Sequence, residues 1–357
     1  MKSPLSIVAA CVGVFLCGSR AGQATEPYSL AKCAEPEIAI HGSSGRFIWK
    51  QALLQLSAAN HAGALVLFDG KALKVFRPNE YGAPETIPVE RPPIALAISE
   101  SGAIAWLASI SDQQNASLIV HLLRKGVQTK STAFQRQQWK VPQTWPELYF
   151  VGELPTISEQ HGKLSQFDDS KESQLKVVVP PNNDTDFTGL TQRGELIRYV
   201  WRTRTPSGVS SSVVIYHDLE SLRANRAAQT AIKDPIYGWV VTVGRIVFLT
   251  KPVVGSKYKT WVHFVRQDSG LGVGHLDYSS QYCWVNSLDA ENGRLETLLN
   301  DGLIQIVDPI GAHILDQIAL PSEVEYRAAD QITAIGKERF LVRTASGIAL
   351  IDEHQRI

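Results

Sequence analysis

AISESGAIAWLAS, residues 97–109, and LTQRGELIRYVWRT, residues 190–203, are two versions of one pattern. Each has an apolar alternation, a polar turn ending in glycine, and a second alternation that reaches a tryptophan. Two further copies follow, VVTVGRIVFL around Gly244 and ITAIGKERFLVRTASGIALID around Gly336. The four glycines, Gly102, Gly194, Gly244 and Gly336, are separated by 92, 50 and 92 residues. Such spacing implies a unit of roughly 46–50 residues in which some copies have drifted. The gaps are filled by LYFVGELP at Gly152, LDAENGRLETLL at Gly293 and IHGSSGRFIW at Gly45, which makes seven units.

Each unit reads as strands. IALAIS, AIAWLASI, SLIVHLL and VQTKSTAF, between Ile94 and Phe134, are short runs rich in β-branched and aromatic residues. Turn clusters bound them, and period-two alternation with such boundaries is the signature of half-buried strands. The repeated glycine supplies the positive φ that a tight hairpin requires; Asp69-Gly70 shows the same device within LVLFDGKALKVF. Helical periodicity is confined to DLESLRANRAAQTAIK, where Asp218 would cap a helix placing Leu219, Leu222 and Ala227 or Ala228 on one face. Four strands per unit with a period in the forties define a β-propeller blade, whose sheet must be covered on both faces by its neighbours. The expected fold is therefore all-β, a β-propeller of seven four-stranded blades. Rings of six or eight blades and a pair of β-sandwiches are the rival architectures.

The first residues stand outside this pattern. Lys2, an apolar run from Leu5 to Leu16, and small residues at Gly22 and Ala24 make residues 1–24 a signal peptide cleaved after Ala24. Residues 25–357 then form a single propeller domain, located in the periplasm or outside the cell. No later segment reaches transmembrane length. Of four cysteines, Cys11 and Cys17 leave with the signal, and Cys33 and Cys283 can pair with each other in an oxidising compartment. Lysine plus arginine and aspartate plus glutamate number 35 each, so no net field favours nucleic acid.

Ser287–Leu299, SLDAENGRLETLL, is similar to quinoprotein repeats of the form Ala-x-Asp-x-x-Thr-Gly-x-x-x-Trp. Asp289 and Gly293 fit, whereas Asn292 precedes the glycine and Thr297 stands where the tryptophan belongs. The chain resembles the exported bacterial propellers of the TolB, YVTN and quinoprotein repeat groups. One imperfect copy does not imply a pyrroloquinoline quinone site. The Trp-Asp endings of WD40 blades and the Asp-box of sialidases are both missing.

Motifs for phosphate cradling, nucleophile elbows and zinc helices are missing too. Nine histidines are scattered singly, and His121, His217 and His263 alternate with apolar residues as structural histidines do. Asn182, Asp184 and Asp186 repeat every second residue, as oxygen donors do in a calcium loop. Phe187 stands where a turn glycine is needed and Arg193 where a bidentate glutamate is needed, so a polar loop is the competing reading. His217, Asp218 and Glu220 could form an acid–base cluster, with helix capping by Asp218 as its alternative. Trp49, Trp106, Trp201 and Trp239 lie near the repeat glycines and are expected to pack between blades. Trp139 and Trp145 sit in a polar, proline-bearing connection beside arginine and glutamine, the make-up of a binding surface.

The expected function is binding or scaffolding of a protein, peptide or glycan without catalysis and without a cofactor, calcium aside. The alternative is a lactonase-, lyase- or quinoprotein-like propeller enzyme with its site at the axis. Carboxylates or histidines converging there would favour the enzyme.

Overall fold

The computed structural model describes residues 33–52, 54, 56–109, 117–124, 127–135, 147–159, 162–168, 174–181, 187–190, 196–205, 208–216, 218–224, 226, 228–232, 236–250, 260–278, 283–291, 293–324, 329–336 and 338–353. Alternating side chains and hairpin glycines produce β-structure along almost all of this length. The chain enters through β1 (Ile40–His41) and β2 (Ser43–Lys50) and then lays down sheets of consecutive strands. The first holds β3 (Ser57–Ala59), β4 (Leu65–Phe68), β5 (Ala72–Arg77) and β6 (Glu80–Pro88). The second holds β7 (Pro93–Ile98), β8 (Ile104–Ser109), β9 (Ser117–Arg124) and β10 (Val127–Gln135). The third holds β11 (Glu147–Val151), β12 (Leu154–Ser158), β13 (Leu164–Asp168) and β14 (Gln174–Val179). The fourth holds β15 (Phe187–Leu190), β16 (Leu196–Thr205), β17 (Gly208–Tyr216) and β18 (Ala228–Ile232). The fifth holds β19 (Ile236–Thr242), β20 (Arg245–Thr250), β21 (Thr260–Arg266) and β22 (Gly272–Tyr278). The sixth holds β23 (Val285–Glu291), β24 (Arg294–Leu299), β25 (Leu303–Asp308) and β26 (His313–Ala319). The last is composite: β27 (Gln331–Ile335), β28 (Arg339–Thr344) and β29 (Gly347–Glu353) are completed by β2.

Apolar clusters fill every space between consecutive sheets. Leu107, Val120, Ile157 and Phe167 join the second sheet to the third, and Leu298, Ile318, Phe340 and Val342 join the sixth to the composite one. Leu65, Phe76, Leu341 and Leu350 join that composite sheet back to the first. Each sheet thus covers both its faces with neighbours, and the antiparallel pairing of β2 with β29 closes the ring with an N-terminal strand.

The strand count corrects one expectation. Six blades have four strands, not seven; the sixth sheet has five, because β1 adds in parallel to β26. The added strand is gripped by side chains. Gln317 accepts from the Glu35 amide at 2.7 Å and donates to the carbonyls of Glu35 and Ile38 at 3.0 and 2.8 Å. Cys33 and Cys283, 250 residues apart in sequence, form a disulfide with Cα atoms 5.3 Å apart. Closing a loop this long stabilises the fold by about 5 kcal/mol at most in the chain-entropy picture.

The repeat glycines take equivalent places. Gly102, Gly152, Gly244, Gly293 and Gly336 have positive φ in the hairpin joining the first and second strands of their sheets. Gly194 lies outside the described residues, between the end of β15 and the start of β16. Gly45 is a correction: it falls inside β2, where an added Cβ would lie 2.8 Å from side-chain atoms of Ile351 and Pro321. The equivalent hairpin residue is Gly63, between β3 and β4, with φ +89°.

The helix is also shorter than its periodicity suggested. α1 spans Leu219–Arg223, capped by Asp218, whose carboxylate accepts from the Ser221 amide at 2.6 Å. Ala228 and the residues after it leave the helix and pair with β17 as the outer strand of the fourth sheet. Ladder bonds along a whole sheet edge outweigh another turn of an isolated short helix.

Candidate functional site at the hairpin end of the ring

Strand order places the first hairpin of every sheet at one end of the ring, and polar side chains sew these hairpins together. Asn60, before Gly63, accepts from the Ala64 amide at 2.8 Å and donates to the Ser99 carbonyl of the second sheet at 2.7 Å. Ser99 in turn donates to Glu153 of the third sheet at 3.0 Å. His61 completes the belt. Its Nδ1 lies 3.0 Å from Glu100 of the second sheet, and its Nε2 lies 3.2 Å from Asp289 on β23. The other Asp289 oxygen accepts from the Ala334 amide on β27 at 2.7 Å. One imidazole therefore connects the first, second and sixth sheets, and Asp289 carries the connection to the last.

The electrostatics follow from this geometry. Burial alone would lower the His61 pKa; the hydrogen bonds and charges of Asp289 and Glu100 outweigh it and hold the ring up at about 10. At neutral pH His61 is a cation with both nitrogens engaged, so it offers no lone pair to a substrate proton. The bond to His61 holds Glu100 below the usual carboxylate range. Behind Asp289 stands Glu296 on β24, directly opposite it in the ladder and fully buried. Neither Glu296 oxygen has a hydrogen-bond partner, although Arg294 Nε lies 3.5 Å away. Burial, reinforced by the charge of Asp289, pushes Glu296 up to about 8. A cavity of about 310 Å³ on the composite sheet is lined by Ile335, Gly336, Glu338, Arg339, Asp352 and Glu353.

Further from the axis the same end turns apolar. Leu271, in the turn between β21 and β22, is 60% exposed, and Ile310, in the turn between β25 and β26, is 61% exposed. Val243 in the β19–β20 hairpin is 57% exposed. These are three of the four most exposed large apolar side chains among the described residues, Tyr237 being the other. They are drawn together by packing between the fifth and sixth sheets. Val243 lies 3.7 Å from the Cβ position of Gly293, and Ala312 lies 3.1 Å from that of Gly274. The Gln267 amide bonds the Gly244 carbonyl at 3.2 Å, which ties the outer turn of the fifth sheet to its inner one.

The residues singled out from sequence fare differently. Trp139 and Trp145 lie outside the described residues, between β10 and β11, and so do Asn182, Asp184, Asp186 and His217. Cys33 and Cys283 are brought together as expected. Trp106 is buried between the first and second sheets and stacks on His121 at 4.7 Å between centroids. Trp49 meets Phe76 edge-on at 6.0 Å, and Trp239 meets Tyr149 at 6.3 Å. The side chain of Trp201 lies outside the described ones. His263 is structural too, bonded to Thr250 at 3.0 Å; burial, with His275 nearby, pushes it down to about 4. Asp218 caps α1.

His61, Glu100 and Glu296 escaped the sequence reading, and Asp289 was noticed only as a repeat residue. A signal was present in the hairpin at Gly293. Asp289 and Glu296 stand where the copy at Gly244 carries Val240 and Val247.

A ring of four-stranded antiparallel meanders closed by β2 defines the chain as a β-propeller, and the comparisons agree on the fold. The WD40 repeats of RRP9 align with a TM-score of 0.61 at 11% identity, over 89% of this chain and 100% of that one. A chain of the mitotic checkpoint complex aligns at 0.58 and 11%, over 97% and 100%. BamB from Moraxella catarrhalis aligns at 0.50 and 12%, over 89% and 86%. No protein-family model matches this chain, and no curated protein does. Among the described residues no helix is long and apolar enough to cross a membrane.

Proposed function

We propose that this chain is an exported propeller that binds a protein partner at the hairpin end of its fifth and sixth sheets. The observation that carries the reading is the exposure of Val243, Leu271 and Ile310 together at adjoining turns. Apolar groups presented this way by a rigid ring mark interaction surfaces rather than core. Their aliphatic character favours a protein or peptide over a glycan, which is usually stacked on aromatic rings. Trp139 and Trp145 remain candidates for a second contact. Scaffolding neighbours in the WD40 class are compatible with this role, although fold alone does not assign it.

Export is part of the proposal. The Cys33–Cys283 disulfide supports it, since structural disulfides persist where the compartment is oxidising. N-terminal sequencing of the secreted chain should begin at Thr25; a chain beginning at Met1 in the cytoplasmic fraction would contradict export.

An enzyme with its site at the axis is the second reading, and it too has a specific observation behind it. A histidine and several carboxylates do converge there, and Glu296 is poised to titrate at about 8. Against it, His61 is saturated by its two partners, and Glu296 is sealed from solvent. The deciding experiment replaces Leu271 and Ile310 with aspartate. Loss of the partner's co-purification with the fold intact supports the docking surface; undiminished recovery overturns it.

A further inference from the structure

We propose that Cys33, Cys283 and Asp301 form a site for a thiophilic divalent cation such as zinc, opened when a dithiol reduces the disulfide. The two sulfurs and a carboxylate oxygen of Asp301 all lie within 4.8 Å of one another. Nothing about a disulfide calls for a carboxylate at its side, because bonded sulfurs are neutral and donate no hydrogen bond. Asp301 nevertheless stands there. Its Oδ1 accepts from the Leu303 amide at 3.3 Å, while Oδ2 is buried without a hydrogen-bond partner. An acceptor left so in a folded protein is destabilising. A cation between it and two thiolates removes that penalty.

The surrounding bonds keep the ligands in place once the S–S bond is gone. Gln305 donates to the Cys33 carbonyl at 3.2 Å, and Gln317 holds Glu35 two residues on. Next to Cys283, the Trp284 amide donates to Asn300 Oδ1 at 2.8 Å, and Asn300 directly precedes Asp301. Backbone on both sides is therefore fixed independently of the sulfurs. Zinc–sulfur bonds of about 2.3 Å in a tetrahedron separate the sulfurs by roughly 3.8 Å, which cysteines with Cα atoms 5.3 Å apart can reach by side-chain rotation. Asp301 supplies the third ligand, and water the fourth. The chemistry balances in two steps. The dithiol passes two electrons and two protons to the disulfide, becoming a cyclic disulfide and leaving two cysteine thiols. The cation then displaces both thiol protons and binds the thiolates.

The test uses the full chain with Cys11 and Cys17 replaced by alanine, so that Cys33 and Cys283 are its only thiols. Reduced protein, freed of reductant without air, is titrated with cadmium while the ultraviolet sulfur-to-metal charge-transfer band is followed, and zinc is then added in competition. One equivalent of the band is expected in the reduced chain and none in the oxidised chain, with zinc erasing it. Asp301→Asn should weaken binding about tenfold or more, the loss typical when a metal site's oxygen partner is altered. Circular dichroism accompanies each sample. A reduced chain that keeps its β-signal but gives no band, or a D301N affinity equal to that of the parent, overturns the proposal. So does loss of the β-signal on reduction, because the site depends on backbone held without the disulfide.

Discussion

The second and sixth sheets are built on one hairpin and filled with opposite chemistry. In the second, Ala97 pairs with Ala105 across β7 and β8, and both are buried. In the sixth, the pair at the same place is Asp289 and Glu296, and Glu296 is buried as deeply as Ala105. Two residue pairs further toward the turn, Ser99 and Ala103 correspond to Glu291 and Arg294. Below these positions the two sheets converge again, with Leu107 and Leu298 filling equivalent places. The lower layers hold the ring together, and the top layer of one sheet is free to carry charge, because His61 of the first sheet reaches past the composite one to neutralise it. A propeller tolerates such a substitution locally since each interface is separate from the next.

Leucine to alanine should have the largest effect, and it should be the same in both sheets. Leu107→Ala and Leu298→Ala are each expected to lower unfolding free energy by about 3 kcal/mol in denaturant titrations. A much smaller loss at Leu298 would break the equivalence of the two layers.

Asp289→Asn comes next, with a loss of about 2 kcal/mol at pH 7 from weakening a charge-assisted bond. Its pH dependence is the sharper readout. His61 has a folded-state pKa raised to about 10, so its stabilisation is complete below its unfolded value near 6.5 and fades as pH climbs toward 10. The parent chain should lose stability across that window, and Asp289→Asn should lose less. Equal slopes would mean that His61 does not hold the hairpins.

Glu296→Ala transplants the alanine of the second sheet into the sixth. Because folding raises the Glu296 pKa to about 8, the folded state binds the extra proton, and this residue makes stability fall as pH rises from about 4.5 to 8. The variant should be more stable than the parent by about 1 kcal/mol at pH 9, since a buried charge without hydrogen bonds is gone. Thermal melts at pH 5 and pH 9 check the sign. Destabilisation that grows with pH would show that the charge is favourably held.

Smallest of all in stability, Leu271→Asp with Ile310→Asp should move the unfolding free energy by no more than about 0.5 kcal/mol. A larger loss would make these side chains structural and remove them from the proposed surface.

Most of the architecture could be read from residues. The strands of the second sheet follow the alternation closely, because hairpin glycines and β-branched runs are local signals. What escaped was set by contacts between distant segments. The true hairpin partner of the series was Gly63, not Gly45, since Gly45 serves the close approach of β2 to Ile351 and Pro321. The fifth strand of the sixth sheet depends on Gln317 reaching Glu35 and Ile38, a pairing with no trace in local pattern. The helix overshot because alanines suit helices and strand edges alike. Of the candidate site, the charges of the sixth sheet were visible as residues, but only ring closure brings His61 to Asp289. The exposed turns were unreadable, as leucine or isoleucine in a turn looks the same in sequence whether buried or presented.

Site-specific photocrosslinking in the exporting cell tests the docking surface most directly, because it captures a partner of any identity. A photoreactive residue is placed in turn at 271, at 310 and at 177, where Val177 is an exposed apolar side chain on the third sheet. The expected result is one shared protein adduct from positions 271 and 310 and none from 177. The same adduct from all three positions, or no adduct from 271 and 310, would contradict a partner seated on the hairpin end of the fifth and sixth sheets.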